Sequence, residues 1–590
     1  MNRLKVSFVS LLILTFISGC QPKSEEPAAT VNGYVDSSFQ KLSDEFITSY
    51  LAHSPAMAVA LGFHEYDGKV QDYSKAGIEQ ELSLLKSYEQ KISAVDSSKL
   101  SARNYADQRM LLSNIRSDMF RIEDQKEYTQ NPMTYAGAVD LNIYIKRNFA
   151  PIESRIKSII AIEEKVPSIF EAARANLEDS LAKPFVQLAI TIAKGSADFL
   201  AKDMLKALKD VKNDTLMAAF NKSNKKAVDE LNGFASWLEK EKLPKSHNNY
   251  ALGKAKYQKM LWANEGITLS PEKILEIGLA ELKKEQDVFN HAAKIINPKK
   301  KPIDVYLDLE KEHPVADSLI PEARKHVESI RQFLIDKKIV TMPSEVRVKI
   351  EETPPYARST SSASMDTPGP FEERATEAYY YITPVDNTWT AKQKEDWLQT
   401  FNYYTTDVVS IHEAYPGHYT QFLHLNASPI SKVGKIFGSY AFVEGWAHYT
   451  EKMMLDEGFG NNGDSVRAAK YRMAQAGDAL LRLCRLCVSI KTHTEGMTVD
   501  EGTKFLMDNW YQGDKPSRLE ALRGTYDPGY LYYTLGKLQI LKLKEDYKRQ
   551  EGNNFSLMKF HDQVLDNGMP SIYLLRQLLL KDKSKWGEIL

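Results

Sequence analysis

His412 and Glu413, followed by His418, and then Glu444 alone in an apolar stretch, are the residues of this chain whose types and spacing could do chemistry. Two imidazoles and one carboxylate around a divalent ion leave a fourth tetrahedral position open for water, the arrangement of catalytic rather than structural zinc. Glu413 sits beside a ligand without being one, placed to take a proton from that water, whose pKa zinc lowers toward neutrality. One zinc per chain is the expected cofactor.

The spacing is unusual. A zinc helix ordinarily carries its two histidines four residues apart, one turn, with a glutamate after the first. Here the run His412-Glu413-Ala414-Tyr415-Pro416-Gly417-His418 separates them by six. On an unbroken helix six residues rotate by about 240°, and the imidazoles could not meet. Pro416 offers no N–H to the carbonyl of His412 and its ring clashes there. Tyr415, before a proline, is pushed out of helical dihedrals, and Gly417 tolerates whatever backbone angle results. Two residues looped out would restore one-turn geometry. The competing reading is a pair of helix-end histidines satisfied by backbone and water.

The third ligand comes from the stretch Ile436 to Ala447, where Glu444 is the only charged residue. A helix apolar on every side is buried, and an ionised carboxylate within it needs a metal or a paired cation. A buried salt bridge is the alternative. His448 and Glu451, four and seven residues on, share its face and are candidates to orient the ligands. A further cluster, Arg523 to Tyr533, begins a helix at Asp527-Pro528 that runs to about Gln550. Tyr530, Tyr533 or Arg523 could stabilise the oxyanion of a tetrahedral intermediate; core tyrosines are the plainer reading.

The elements that must position these groups are mostly helical. Phe39, Leu42, Phe46 and Tyr50, and later Ile156, Ile159, Ile160 and Ile162, recur at helical steps. Breaks fall at Asn213-Asp214 and around Pro244–Asn248. Ser270-Pro271-Glu272 opens a helix toward Ile296, and Thr390 to Gln393 reads as a capping box. Val346–Glu351 and Thr376–Ile382 have strand character, the latter ended by Pro384. A small sheet just before the catalytic helices could hold an extended peptide along its edge, or merely pack the lobe. The expected fold is mainly α, with two helical lobes around a cleft and a small β-sheet near the catalytic helices. The expected regions are an N-terminal helical one over 37–250 and a catalytic one over 251–590.

The N-terminus points to export. Arg3 and Lys5 precede the apolar run Val6–Ile17, which is too short to span a bilayer as a mature helix and reads as a signal peptide over 1–19. Ile17-Ser18-Gly19-Cys20 is similar to the lipobox of bacterial lipoproteins, which implies a lipidated Cys20 anchoring the chain to a membrane. Gln21 then favours the periplasmic face of the outer membrane, with 20–36 as a polar tether. Cys484 and Cys487, three apart on one helix face, read as buried small residues rather than a redox or metal pair. With 77 basic against 78 acidic residues in 590, no bulk field points to nucleic acid, and no such partner is expected.

With these residues in view, the chain resembles the bacterial family known as domain of unknown function 885, and through it the gluzincin metallopeptidases. The matching pieces are His-Glu-Ala-Tyr-Pro-Gly-His (412–418), Glu-Gly-Trp-Ala-His-Tyr-Thr-Glu (444–451) and Arg…Asp-Pro-Gly-Tyr…Tyr…Gly (523–536), within a likeness from about residue 40 to the end. The resemblance implies a helical fold with a deep cleft, zinc on His412, His418 and Glu444, Glu413 as base and tyrosine assistance near Tyr533. Many relatives carry an Asp four residues before a downstream histidine; here Ser489 precedes His493, so no catalytic role is assigned to that histidine. The expected activity is peptide hydrolysis by metal-activated water. Two other readings stand beside it: hydrolysis of a cell-wall or other non-peptide amide, and a catalytically silent peptide-binding lipoprotein. The intact Glu413 argues against the last.

Overall fold

The computed structural model of the chain describes residues 31–354, 358 and 361–590. The signal peptide, Cys20 and most of the proposed tether lie outside the described residues; residues 31–36 form the first turns of a helix rather than a tether. No helix among the described residues is long and apolar enough to cross a membrane.

The fold is mainly α, as expected. In the first half the longer helices are α1 (Val31–His53), α2 (Lys75–Ser93), α3 (Ala102–Glu123), α4 (Ile152–Glu163), α5 (Lys183–Phe199) and α6 (Asp214–Trp237). Then follow α7 (Lys254–Glu265), α8 (Pro271–Ile296) and α9 (Leu319–Lys337). The Ser270 hydroxyl accepts from the Lys273 amide at 3.2 Å and Pro271 takes the first turn, so α8 starts where the capping signal placed it.

Most of the first six helices pack into two cores. One is built from buried residues between Val59 and Leu238 and Ala375 from beyond, with Phe170 and Phe234 stacked 4.5 Å apart. The other joins Phe46, Leu85 and Leu111, from α1, α2 and α3, to Val433, Ile436, Phe437 and Leu574. The first three helices are thus packed onto the C-terminal half. Each fully buried Phe or Leu contributes roughly 1.5–3 kcal/mol, so this shared core ties the two halves together.

A three-stranded sheet interrupts the helices: β1 (Lys349–Glu352), β2 (Ala363–Asp366) and β3 (Tyr379–Ile382). The order is β1-β3-β2, with β3 parallel to β1 and antiparallel to β2. The last strand falls within the second segment with strand character and the first overlaps the other, starting three residues later and ending at Glu352; β2 was not foreseen. The site helices come next: α10 (Ala391–Thr400), α11 (Tyr403–Glu413), α12 (His418–Ala427), α13 (Lys432–Ile436), α14 (Tyr440–Asp456), α15 (Ser465–Ile490), α16 (Asp514–Tyr526), α17 (Tyr532–Glu551) and α18 (Ile572–Leu579). The Thr390 capping box is present at the start of α10. Cys484 and Cys487 are free and buried on α15.

The apolar run Ile436–Ala447 is not one helix. It ends α13, crosses Gly438, which bridges to Met569, and restarts at α14 under a Ser439 cap. α14 then crosses α17 at backbone contact. A Cβ on Gly536 would stand 1.9 Å from the Ala441 carbonyl oxygen, and one on Gly445 2.6 Å from the Gly536 backbone. Because α14 carries Glu444 and α17 carries Tyr533, this crossing sets the distance between two candidate functional groups. Gly536→Ala is expected to force the helices apart, costing about 3 kcal/mol. A lower thermal midpoint checks it; an unchanged midpoint would mean the helices can yield there.

Candidate metal centre

α11 begins under Asn402, whose side chain accepts from the Thr405 amide, and is held on both sides. Asp407 accepts from His326 at 2.6 Å and from the Tyr471 hydroxyl at 2.7 Å, and Ser410 meets the Tyr380 hydroxyl at 3.3 Å. The last turn of this helix presents His412 and Glu413.

The expectation of two residues looped from one helix is only half met. α11 stops at Glu413, residues 414–417 turn the chain through a cis Tyr415–Pro416 bond, and a new helix opens with His418. The physical cause is the one anticipated: Pro416 cannot donate to the helix and the ladder stops there. The Gly417 amide then donates to the Ile411 carbonyl at 3.0 Å, and Trp446 on α14 donates its indole N–H to the Pro416 carbonyl at 2.8 Å. Gly417 is needed for its missing Cβ rather than for a left-handed angle. Its φ is −70°, and a Cβ there would lie 1.7 Å from the His412 carbonyl oxygen.

The turn brings His412 and His418 together with ring centroids 4.9 Å apart and planes perpendicular. Glu444 Oε2 lies 3.5 Å from His412 Nε2 and 3.6 Å from His418 Nε2. Three donors held 2.0–2.2 Å from one ion at tetrahedral angles stand about 3.3–3.6 Å apart. Those separations are too long for good hydrogen bonds, and Glu444 Oε2 is buried without a hydrogen-bond partner. A buried carboxylate oxygen facing two ring nitrogens across a gap of that size fits a metal ion. Among the described residues this is the one such group of His, Cys, Asp or Glu side chains found.

The side chains of His418 and Glu444 each keep 19% of their surface exposed, so solvent reaches the centre. Behind it the centre is closed. Glu451, fully buried, accepts from His412 Nδ1 at 2.7 Å through one oxygen and from His448 Nδ1 at 2.9 Å through the other. His418 Nδ1 meets Gln421 Oε1 at 3.0 Å, and Gln421 in turn donates to the Val443 carbonyl at 3.2 Å. Each histidine thus has its ring fixed from the far side. Burial alone would lower His412, but Glu444 and Glu451 outweigh it and push the metal-free ring up to about 10. Burial would likewise raise both carboxylates, yet His412 and His418 around Glu444, and the His448 and His412 rings with Arg482 around Glu451, hold them well below the usual range. The pocket has the electrostatics of a cation receptor.

Glu413 points toward the sheet, and its Oε2 accepts from the Met365 amide at 3.0 Å. Among the described residues β2 pairs only with β3, so this amide lies on the strand's free edge. The end of β2 is pinned where Lys146 and Arg147 clamp Asp366 at 2.6 and 2.9 Å.

The two candidate tyrosines part company. Tyr533 lies against three arginines, with the guanidinium carbons of Arg482, Arg485 and Arg523 at 5.9, 5.3 and 5.9 Å from its ring. Burial and then the Glu444 charge raise its phenol, which places it in the field of the centre. Tyr530 is fully buried beside Gly524, and the charges that act most on it are Glu520, Arg485 and Asp527 rather than the histidine–glutamate group. Arg523 is held by Asp527 through two bonds of 3.0 and 2.9 Å and reaches the Tyr440 hydroxyl at 3.4 Å. His493 is buried, bonded to the Gly524 carbonyl at 2.8 Å and stacked on Tyr257, a structural clamp.

Sequence reasoning passed over Gln421 and Tyr440. Gln421 follows His418 by three and Tyr440 precedes Glu444 by four, both one-turn neighbours on a helix.

Comparison with known proteins agrees with this fold. The profile of the family described as "Bacterial protein of unknown function (DUF885)" matches residues 55–579. A candidate lipoprotein of unknown function from Shewanella oneidensis is similar at 26% identity and a TM-score of 0.78, over 92% of this chain and all of that one. A candidate lipoprotein from Colwellia psychrerythraea shares the fold at 16% identity and a TM-score of 0.74, over 95% of this chain and all of that one. A Pyrococcus furiosus carboxypeptidase overlaps at 12% identity with a TM-score of 0.42, over 95% and 97% of the two chains, too loosely to bear on fold or activity. No curated protein matches the chain.

Proposed function

We propose that this chain, which belongs to the DUF885 family, is a single-zinc hydrolase that cleaves peptide bonds in extended peptides. The observation that carries the reading is the convergence of His412, His418 and Glu444 Oε2 at metal-ligand separations, with Glu413 beside them and outside the ligand set. Zinc bound there would lower the pKa of a water and polarise a substrate carbonyl. Glu413 takes one proton from the attacking water as the water oxygen joins the carbonyl carbon. It returns that proton to the amine nitrogen as the carbon–nitrogen bond breaks. Tyr533, held among arginines and within the field of Glu444, donates to the oxyanion. Arg523 anchors it rather than acting directly, and Tyr530 supports the same helix start from the core.

The free edge of β2 gives the peptide reading its physical basis. An extended chain added alongside it would be held by backbone hydrogen bonds within reach of Glu413. Export follows from the N-terminal sequence, with Cys20 as the lipidated first residue of the mature chain and a place on the periplasmic face of the outer membrane. The Shewanella oneidensis candidate lipoprotein of the same fold supports the lipid anchor.

Metal analysis of the purified protein is expected to give about one zinc per chain, falling to background in His412→Ala, His418→Ala or Glu444→Ala. The zinc-loaded protein is expected to cleave oligopeptide mixtures. Full zinc occupancy in His418→Ala would overturn the ligand assignment. Cleavage of muropeptides but not oligopeptides would shift the substrate to a cell-wall amide, and capture of peptides without any turnover would leave a binding protein.

A further inference from the structure

Behind the centre the buried line of polar groups that begins at His412 and Glu451 runs on through His448 to Lys537, which the proposed reaction does not use. Lys537 Nζ stands 3.4 Å from His448 Nε2; His448 Nδ1 reaches Glu451 Oε2 at 2.9 Å; Glu451 Oε1 reaches His412 Nδ1 at 2.7 Å. Lys537 is 6% exposed, and His448 and Glu451 are fully buried. We infer that Lys537 is a positioning residue of the metal centre: by donating to His448 Nε2 it locks both histidines of this line as Nδ1–H tautomers and leaves His412 Nε2 bare for the metal. The inference rests on the zinc reading of the centre.

The argument is one of elimination. His448 has three protonation states. With its proton on Nε2, that N–H would face the N–H groups of Lys537, and a bare Nδ1 would face a carboxylate oxygen at 2.9 Å. With both nitrogens protonated, a cation would face the lysine. With Lys537 as an ammonium, which donates and cannot accept, only the Nδ1–H form gives every atom in the line a complementary partner. The surroundings agree with it. Burial and the Lys537 charge hold His448 down to about 3, so the ring is neutral. Glu451 then accepts from both rings, one on each oxygen, and its Oε1 holds the ring of His412.

Packing alone does not account for the lysine. Burying an amine costs several kcal/mol that a methionine of similar shape would not. Among the described residues no carboxylate forms an ion pair with Lys537, and its hydrogen bond is spent on His448. Lys537 directly follows Gly536, the residue at the backbone crossing of α14 and α17. That crossing brings the lysine to a histidine on another helix, 89 residues away in the chain. Arg482 braces the same carboxylate from α15, 3.7 Å from Glu451 Oε1 and paired with Asp478.

The test compares metal binding in wild type, Lys537→Met and Lys537→Arg. Zinc affinity of stripped protein is read by competition with a chromophoric chelator, and ligand geometry from the visible spectrum of the cobalt(II)-loaded form. Lys537→Met is expected to weaken zinc about 10–100-fold and to alter the cobalt spectrum. Lys537→Arg keeps an N–H donor and is expected to stay within a few-fold of wild type. Wild-type affinity and spectrum in Lys537→Met would overturn the inference, as would equal losses in Met and Arg, the mark of packing alone. If Lys537→Met does not fold, nitrogen-15 spectra of histidine-labelled wild type decide: an Nε2–H signal from His448 would overturn it. A wild type that holds no zinc would instead sink the reading of the centre.

Discussion

Glu413→Gln is expected to cut peptide hydrolysis by about 10²–10⁴-fold while leaving zinc content at the wild-type level. The substitution is nearly isosteric. The amide oxygen can still accept from the Met365 N–H, so the free edge of β2 stays where Glu413 holds it. What is lost is the ability to take and return a proton. A variant that binds peptide and metal as before but turns over slowly would separate proton transfer from assembly of the site. Loss of zinc together with activity would assign Glu413 to the ligand set. Hydrolysis near the wild-type rate would remove it from the mechanism, and with it the reason for preferring a hydrolase to a peptide-binding protein.

The residues that converge at the centre were legible because each is chemically conspicuous against its background. His412 and His418 flank a proline that must end a helix, and Glu444 is the only charge in an apolar run. Glu451 and His448 could be placed on a shared helical face from spacing alone. Their actual partners could not: Glu451 serves His412 from 39 residues away and Lys537 serves His448 from 89. Such pairs are decided by how helices cross. The signal for the crossing is a pair of glycines, Gly445 and Gly536, that means nothing until they face each other.

Three further differences have local causes. Tyr530 and Tyr533 are three apart and both flank Arg523, at 5.8 and 5.9 Å, but Tyr530 lies in the 3₁₀ turn Pro528–Leu531 and is fully buried, while Tyr533 lies in the first turn of α17 and is not. β2 reads Ala-Ser-Met-Asp, without the β-branched alternation that marks a strand, and exists because β3 offers it a partner. The break between α13 and α14 is hidden because apolar residues lie on both sides of Gly438. Burial is legible in such a run; where the helix restarts is not.

Gly417→Ala is expected to abolish zinc binding and activity, though it changes neither a ligand nor the base. The added Cβ would fall 1.7 Å from the His412 carbonyl oxygen and 2.5 Å from that of Ile411, both backbone atoms of the helix that carries the first ligand. Neither atom can rotate aside as a side chain would. Relief requires α12 to move away from α11, and His418 is its first residue. A shift of about 1 Å opens ligand separations of 3.5 and 3.6 Å beyond what one zinc ion can span. The Gly417 amide also donates to Ile411 and Trp446 clamps the adjoining carbonyl, so the displacement would disturb buried bonds on both sides. A loss of about 2–4 kcal/mol in stability is expected with the loss of metal. The two effects part in the metal-free state: a stripped Gly417→Ala protein should melt below stripped wild type, and zinc should raise the midpoint of wild type alone. A variant that keeps zinc affinity and activity would mean that the two helices can separate at this turn without parting the histidines.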